Sequence, residues 1–422
     1  MRRVAIVGGA RIPFARSNGA YADCSAQQLL AAALQALTDK YHLAGERIGD
    51  VGAGAALKSH RDPLLGREAI LDTTLDHHTP AFDLQRACGT SLELAILLGL
   101  KIAAGQVDSA IAAGVDTTSD APIGLNENMR KILLRSARGR TFGEKLAPWA
   151  SLRPSHIKPD LPAAREPRTG LTMGQSCELM AKRWGITREA QDEFALTSHK
   201  RAAAAYDSGF FKDLVFEYRG LRQDNNIRPD TTIEKLAKLK PAFAIEGSGT
   251  LTAGNSTPMT DGSAALLLAS EEWARARGLP VQAYLTFGKV AAIDFMKGDE
   301  GLLMAPAYAV PRMLADAGLT LQDFDFYEIH EAFAAQVLCT LKAWESAEFC
   351  REKLGLNRPL GSIDRAKLNV NGSSLAVGHP FGATGARILG TLAKLIDQRG
   401  GGRGLVSICT QGGMGVTAIV ER

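Results

Sequence analysis

Two cysteines and a histidine stand in small-residue segments that are far apart in the sequence. Cys88 lies in QRACGTS (85–91), His379 in GHPFGATG (378–385) and Cys409 in CTQGGMG (409–415). A thiol has a reference pKa of about 8.5, which its surroundings can pull toward neutrality, and an imidazole takes up a proton near neutral pH. These residues predict one active site, in which one thiol is the nucleophile and the other carries a proton.

The residues after Cys88 begin an apolar helix, predicted over 90–104. Cys88 is therefore expected at the amino end of that helix. There the helix dipole and free backbone N–H groups favour a thiolate and can bind an oxyanion. An inert buried cysteine is the alternative, because this residue type is commonly buried. A structural turn histidine is the corresponding alternative for His379, whose imidazole is otherwise placed to take a proton.

Strand-like runs alternate with small-residue helices along the chain, which predicts an α/β fold with parallel or mixed sheets. We expect strands at 4–7, 110–113, 324–329 and 405–408, and helices at 26–38, 90–104, 174–184, 188–208 and 383–398. Cys88 and His379 are each followed by a helix, a glycine break, an apolar strand and a glycine turn. This echo suggests an internal duplication. Prolines loosen the pattern between residues 119 and 244, which predicts an insertion carried by the first half.

Composition places the chain among ordinary globular proteins. Its 422 residues favour two or more core units, and hydrophobic residues make up 45% against 22% charged. The six cysteines show no metal-ligand spacing, and in a chain of this size they indicate reduced thiols in the cytoplasm. We expect no export signal, no membrane-spanning segment and no dinucleotide site. Cys24, Cys177, Cys339 and Cys350 are interpreted as structural residues.

Positive charge is concentrated between residues 129 and 168. Ten basic and three acidic residues give this segment 10 − 3 = +7, so the rest of the chain carries 4 − 7 = −3. A solvated loop face is one interpretation. The other is a surface that attracts an anionic ligand, an acidic partner or a membrane. Nucleic acid is not expected, because no aromatic-interleaved basic motif accompanies the charge.

The segments around Cys88, His379 and Cys409, together with VAIVGGARIPF at 4–14, resemble the thiolases, the family of 3-ketoacyl-CoA thiolases and acetyl-CoA acetyltransferases. The match runs nearly end to end, with its blocks in the same order. The resemblance implies two similar βαβαβαββ halves in a five-layered α/β/α/β/α sandwich. The expected division is an N-terminal half at 1–275, with a loop-domain insertion at about 119–244, and a C-terminal half at 276–422.

The resemblance also implies roles for the site residues. Cys88 would be the nucleophile, His379 would activate it and help bind the thioester oxygen, and Cys409 would exchange a proton with the acetyl-CoA carbanion or with CoA. His330, in HEAF (330–333), stands where many thiolases have an Asn that holds a water in the oxyanion hole. A histidine here resembles the branch that works with fatty-acid β-oxidation multienzyme complexes, and a packing histidine is the alternative. Gly413 would contribute its backbone to the oxyanion site.

Contacts with the CoA arm are implied for six further residues: Met173, Arg228, Phe243, Thr257, Ala332 and Phe333. Met173 would lie beside the pantetheine, and Arg228 would face the adenine. Thr257 stands where a serine usually bonds the pantetheine amide. The chain departs from the family's CAGGG at Thr410 and Gln411, and Pro258 stands in place of a glycine.

We therefore expect a 3-ketoacyl-CoA thiolase of fatty-acid β-oxidation with CoA and 3-ketoacyl-CoA as substrates, no cofactor and no metal. A homodimer or dimer of dimers is expected, with a hydratase/dehydrogenase subunit or a membrane surface as a partner for the basic segment. A biosynthetic acetoacetyl-CoA thiolase is the nearest alternative. A β-ketoacyl synthase would use two histidines with one cysteine. A non-catalytic acyl-CoA-binding or scaffold subunit would need no paired thiols.

Overall fold

The computed structural model describes residues 1–162, 165–245, 247–297 and 300–422. Its strands are β1 (Val4–Arg11), β2 (Ala15–Arg16), β3 (Asp50–Ala53), β4 (Ala81–Asp83), β5 (Ser109–Asp116), β6 (Thr260–Ser270), β7 (Ala283–Ala292), β8 (Phe326–Ile329), β9 (Arg403–Thr410) and β10 (Met414–Glu421). Its α-helices are α1 (Ala26–Lys40), α2 (Leu65–Leu71), α3 (Thr90–Ala103), α4 (Glu127–Arg138), α5 (Phe142–Leu146), α6 (Met173–Arg183), α7 (Arg188–Asp207), α8 (Ile233–Ala237), α9 (Glu271–Ala276), α10 (Pro306–Ala317), α11 (Ala334–Glu345), α12 (Ala347–Leu354), α13 (Ser374–Val377) and α14 (Thr384–Arg399).

The strands are hydrogen bonded in the order β4-β3-β5-β6-β1-β7-β10-β9-β8, and β2 pairs with β6. The middle of this order is the antiparallel pair of β1 and β7, where Ala5 faces Tyr284 and Ile6 faces Ala283. Counted outward from that pair, both halves have the same arrangement. The first strand lies next to the last, and the last lies next to the strand that follows a long helix, β5 after α3 and β9 after α14. This repeated order supports the internal duplication.

Three apolar clusters divide the molecule into layers. In the central cluster, α3 and α14 pack between the two halves of the sheet, for example through Leu94 and Leu389. Leu30 and Leu34 of α1 belong to the cluster on the outer face of the first half. Helices α10 and α11 cover the outer face of the second half. The result is helix, sheet, helix, sheet and helix, which confirms the expected five-layered α/β fold.

The predicted elements are present, and the structure adds strands that the sequence pattern did not indicate. Strand β1 continues to Arg11, and β5 covers Ser109–Asp116. The long strand β6 was not predicted, because it is buried along its whole length. A strand buried on both faces shows no alternation of apolar and polar residues. Strands β2, β3, β4, β7 and β10 were not predicted either.

Helices α4 to α8 lie between β5 and β6, in the region where an insertion was expected. Helix α4 buries Ile132 and exposes most of its remaining surface. Among the described residues, no helix combines the length and the apolar character that crossing a bilayer requires.

Candidate active site

Cys88 lies in a tight turn that leads into α3. The turn spans Ala87–Gly89, and α3 begins at Thr90, so the thiol is at the amino end of the helix. Ala87 has φ of 44°, a conformation that costs a non-glycine residue energy and is typical of functional sites. The Thr90 hydroxyl holds the turn, because it donates to the Ala87 carbonyl (2.7 Å) and accepts from the Arg86 amide (2.9 Å). Of the six cysteines, Cys88 is the one that is not fully buried.

The first turns of α3 and α14 contact each other and bring Cys88 toward His379. A Cβ on Gly385, in the first turn of α14, would lie 2.2 Å from the Leu92 amide nitrogen of α3. The Ser91 hydroxyl accepts from the Ala386 amide across the same contact (2.9 Å). Only glycine permits this approach of two backbones. The two duplicated halves therefore place the starts of their central helices side by side.

His330 and His379 form a pair beside Cys88. Their ring centroids are 4.0 Å apart, with an angle of 43° between the planes. The Cys88 thiol and one ring nitrogen of each histidine all lie within 4.8 Å of one another. His379 Nδ1 is 2.6 Å from Thr384 Oγ1, and His330 Nδ1 is 2.8 Å from Ser374 Oγ. Since both Nδ1 atoms are engaged by hydroxyls, Nε2 is the ring nitrogen left for the thiol side.

Cys409 reaches the same place from β9. It is buried near the end of that strand and packs in an apolar cluster with Phe333. A Cβ on Gly89, next to Cys88, would lie 3.0 Å from Thr410 Cγ2, so the Cys88 turn sits directly against the end of β9. Cys88 and Cys409 are close enough for a charge on one to raise the pKa of the other. The structure thus brings Cys88, His379, Cys409 and His330 together.

Burial controls the protonation of this group. It raises the pKa of the Cys88 thiol to about 12, with a further contribution from the Asp116 carboxylate. Burial and the nearby Arg387 cation lower the pKa of His379 to about 3. Burial thus acts on the thiol pKa in the direction opposite to the expected shift toward neutrality. Near pH 7 the resting pair is a neutral thiol beside a neutral imidazole.

Two buried carboxylates fasten the site loops. Asp116, at the end of β5, accepts from the backbone amides of Ala56, Leu57 and Gly382, the last at 2.6 Å within the His379 segment. Burial raises the pKa of Asp116 to about 6 despite these bonds.

Glu331, next to His330, is the second carboxylate. It accepts from Asn369 Nδ2 (2.7 Å), Ser198 Oγ (2.7 Å) and the Leu375 amide (3.1 Å), so it joins β8, α7 and the segment before His379. No local sequence pattern marks either carboxylate, because their partners are distant in the chain.

Four of the predicted substrate residues lie around one apolar wall. Met173, Phe243, Ala332 and Phe333 belong to the cluster that contains Cys409. The rings of Phe243 and Phe333 meet edge to face at 5.8 Å. Phe243 also covers Gly174, where a Cβ would lie 2.3 Å from the ring.

Thr257 bridges two segments of the site. Its amide donates to the Ala332 carbonyl (3.1 Å), and its hydroxyl donates to the Ser374 carbonyl (2.8 Å). The Thr257 hydroxyl oxygen therefore keeps free lone pairs with which it can accept a further hydrogen bond.

Arg228 and Gly413 are placed differently from these residues. Arg228 is exposed, and its amide donates to His199 Nδ1 on α7 (3.2 Å). The Gly413 carbonyl accepts from the Ile293 amide (2.9 Å), and a Cβ on Gly413 would meet Phe295. The backbone N–H groups of Gln411 and of Cys88 itself act to lower the pKa of the Cys88 thiol, against the effect of burial. Sequence reasoning missed Gln411, because this side chain replaces a glycine of the family pattern.

Cys88, His330 and His379 are also close enough to share one metal ion. Such an ion would hold the sulfur that a nucleophilic thiol must present to its substrate. The absence of a metal site stays a prediction.

The thiolase N-terminal domain matches residues 4–272, and the thiolase C-terminal domain matches residues 282–422. A 3-ketoacyl-CoA thiolase of Pectobacterium atrosepticum is 42% identical, over 99% of this chain and 96% of that protein. A protein of the same name from Yersinia pestis is 41% identical, over 99% of this chain and 97% of the relative.

Solved structures agree with these matches. The Bacillus anthracis acetyl-CoA acetyltransferase superposes with a TM-score of 0.82 at 30% identity, covering 100% of this chain and 99% of that one. The human mitochondrial 3-ketoacyl-CoA thiolase gives a TM-score of 0.79 at 28% identity, covering 100% and 98%.

Proposed function

The chain belongs to the thiolase family, and we propose that it cleaves 3-ketoacyl-CoA with CoA into acetyl-CoA and a shortened acyl-CoA. One observation carries this proposal. A half-buried thiol, Cys88, shares a pocket with two histidines and with a second thiol from the other half of the chain. Thiolytic cleavage of a carbon–carbon bond needs a nucleophile, a base that takes its proton and an acid that protonates the leaving carbanion. This set of residues supplies all three.

In the first step, His379 takes the Cys88 proton at Nε2 as the sulfur attacks C3 of the substrate. The C2–C3 bond then breaks, and its electron pair moves to C2 as the enolate of acetyl-CoA. Cys409 gives its proton to C2, and acetyl-CoA leaves. Because both thiols are neutral at rest, the proton moves only when the substrate arrives.

In the second step, CoA gives its thiol proton to the Cys409 thiolate, and the CoA sulfur attacks the acyl carbon on Cys88. The Cys88–acyl bond breaks, and the Cys88 sulfur takes its proton back from His379. We assign the oxyanion donors to the backbone N–H groups of Gln411 and Cys88 in place of Gly413, because these two groups already favour negative charge on the Cys88 sulfur. Donors fixed at that position stabilise a tetrahedral oxyanion.

The remaining predicted residues fit the CoA arm. The apolar wall of Met173, Phe243 and Phe333 suits the pantetheine chain, and the Thr257 hydroxyl can accept from one of its amides. Arg228 is exposed to solvent beside α7, where a cation can meet the nucleotide phosphates or the adenine.

The degradative direction is proposed over the biosynthetic one, on the basis of His330 and the basic segment. Thiolysis assays with short, medium and long 3-ketoacyl-CoA esters test this, with both CoA products measured by chromatography. Turnover with the longer esters is expected. Turnover limited to acetoacetyl-CoA and its reverse condensation would favour the biosynthetic thiolase. Acyl-CoA binding without any turnover would favour the scaffold alternative.

We further propose a homodimer whose chains divide into the halves 1–275 and 276–422. Strand β7 is central in the sheet, yet Phe287 and Val290 on it are exposed, beside the exposed Leu100 of α3. A central strand is normally covered, so a second copy of the chain fits this face. Sedimentation of the intact protein measures the state. The six unpaired cysteines fit a reducing compartment such as the cytoplasm.

The described part of the basic segment, 129–162 and 165–168, forms what we call the basic loop surface. Apolar side chains stand exposed among its cations, including Phe142 (78%) and Ile157 (68%). Arg130 and Lys131 pair with Glu127 on α4. We propose that this surface binds an anionic membrane, since that occupant takes up both the cations and the apolar side chains.

Sedimentation with phosphatidylglycerol vesicles is expected to carry the protein down, and Phe142→Ser with Arg138→Glu is expected to release it. Phosphatidylcholine vesicles are the control. Capture of a hydratase/dehydrogenase chain, lost in the same variant without vesicle binding, would replace the membrane by that partner.

A further inference from the structure

Both site histidines have a hydroxyl at Nδ1, but among the residues that the structure describes only one of these two hydroxyls is bound by a cation. Each Nδ1 faces a hydroxyl, Thr384 for His379 and Ser374 for His330. The Ser374 hydroxyl is also held by a cation, because Arg387 Nη2 donates to it over 2.7 Å. A guanidinium can only donate, so Ser374 Oγ uses a lone pair on this bond.

The Ser374 proton then has one partner to which the geometry directs it. Ser374 is fully buried, and His330 Nδ1 is the acceptor within hydrogen-bonding distance of its Oγ among the described contacts. If Ser374 donates to Nδ1, the neutral imidazole must carry its single proton on Nε2. His330 Nε2 is buried with no hydrogen-bond partner in the described part of the chain. The Nε2–H group of His330 is therefore a donor that is free to bind a substrate oxygen.

Arg387 is fixed for this task by its surroundings. It lies within α14 at 5% exposure, and its Nη1 donates to Ser373 Oγ over 3.0 Å. The nearby Glu328 and Glu331 carboxyls favour the charged form of Arg387, although burial raises the pKa of Glu328 to about 8. Neither Glu328 oxygen has a hydrogen-bond partner among the described residues. Both terminal nitrogens of Arg387 are thus left to the two serines.

We propose that Arg387 is a positioning residue that acts through the Ser374 hydroxyl to keep the proton of His330 on Nε2. The neighbouring His379 has no cation behind Thr384 in the described contacts, so its Nδ1 can donate to that hydroxyl and leave Nε2 free as a base. The two neighbouring rings would then hold opposite tautomers. His330 would be a donor to the substrate oxygen, and His379 would be an acceptor for the thiol proton. The catalytic meaning of this arrangement rests on the proposed function.

The test measures the tautomer directly. The full-length protein is labelled with ¹⁵N-histidine, and long-range ¹⁵N–¹H correlations identify the protonated nitrogen of each ring. The His330 signals are assigned by their loss in His330→Asn. Wild-type protein is expected to show His330 protonated on Nε2 and His379 protonated on Nδ1. A wild-type His330 protonated on Nδ1 would overturn the proposal.

Ser374→Ala and Ser373→Ala form a matched pair, because both serines bind Arg387 but only Ser374 contacts His330. Ser374→Ala is expected to give a tautomer mixture at His330 and to lower kcat about 2- to 10-fold, in proportion to the fraction of rings that lose the Nε2 proton, with little change in KM. Ser373→Ala is expected to keep the wild-type tautomer. Arg387→Met is expected to resemble Ser374→Ala, and if it does not fold, the serine pair still decides.

An unchanged His330 tautomer in Ser374→Ala would also overturn the proposal, even if activity fell. The tautomer is read without substrate, so it does not depend on whether the chain turns over 3-ketoacyl-CoA. Failure of the proposed function would show instead as wild-type protein without thiolysis.

Discussion

The rings of His330 and His379 lie 4.0 Å apart, with Nδ1 of each held by a hydroxyl and the Cys88 thiol within 4.8 Å of both. One ring follows β8, and the other precedes α14. Their contact explains why burial and mutual repulsion, together with Arg387, keep the pKa of His330 well below its usual value. Two neutral imidazoles can share a pocket that two imidazolium ions could not.

His330 is expected to act as a hydrogen-bond donor. His330→Ala removes the donor, and kcat for thiolysis should fall about 10²- to 10³-fold, as for other oxyanion donors. His330→Asn keeps an N–H group and should retain most of that rate. Steady-state kinetics of the two variants provides the measurement. Equal losses in both would show that the imidazole has another task.

Cys88 is expected to react with iodoacetamide faster than the other five cysteines, which are buried. With a pKa of about 12, its thiolate fraction and alkylation rate should rise about tenfold per pH unit between pH 6 and pH 10. Peptide mass spectrometry at each pH measures this. A plateau by pH 8 would mean that the thiol ionises near neutrality, as the helix position alone suggested.

Cys409 is expected to be needed for thiolysis but not for acylation of Cys88 by acetyl-CoA, which expels a thiolate and needs no proton on carbon. Cys409→Ala should still form the acetyl adduct on Cys88 from acetyl-CoA, while thiolysis of 3-ketoacyl-CoA falls about 10²- to 10⁴-fold, the usual share of a general acid–base. Cys339→Ala is the matched control, because Cys339 is buried in the same apolar cluster. Full activity in Cys409→Ala would remove its role as proton carrier.

Gly174 is expected to leave room for Phe243 at the wall of the CoA arm. In Gly174→Ala the new Cβ would lie 2.3 Å from the ring, so the ring must move, at a cost of about 1–3 kcal/mol. We expect a rise in KM on the order of tenfold with a smaller change in kcat. Gly143→Ala is the control, since its Cβ would meet nothing within 4 Å. Equal KM values in Gly174→Ala and Gly143→Ala would show that Phe243 does not take part in substrate binding.

His199 gives a prediction for stability. Burial, with Arg228 nearby, lowers its pKa to about 4, so the unfolded chain binds this proton more readily than the folded chain does. The contribution of the neutral His199 to the free energy of unfolding is complete above pH 6.5 and is lost as the pH falls toward 4. His199→Asn keeps an acceptor for the Arg228 amide, and its free energy of unfolding should fall by about 3 kcal/mol less than that of the wild type over this range. Denaturant unfolding measures it, with the exposed His77→Asn as control.

Local patterns were sufficient for several parts of the site. The small residues around Cys88 and the apolar run after it predicted a thiol at a helix start, and α3 begins at Thr90. The echo between the Cys88 and His379 segments predicted a duplication, which the strand order supports. These features depend on residues that are neighbours in sequence.

Other parts depend on packing between distant segments and were not predictable. The pKa of Cys88 is set by burial, which no helix pattern reveals. Asp116 and Arg387 sit far in sequence from the groups they hold, and nothing near them marks their role. Gln411 stands where the family pattern has a glycine, so the sequence motif indicates Gly413 and carries no signal for the Gln411 amide.

The most direct test of the acyl-transfer account is rapid quenching of wild-type protein with a 3-ketoacyl-CoA ester in the absence of free CoA, followed by peptide mass spectrometry. The account predicts the acyl mass on the peptide that contains Cys88, one equivalent of acetyl-CoA released per site, and loss of the adduct when CoA is added. An adduct on Cys409, or release of acetyl-CoA with Cys88 unmodified at every time point, would contradict it.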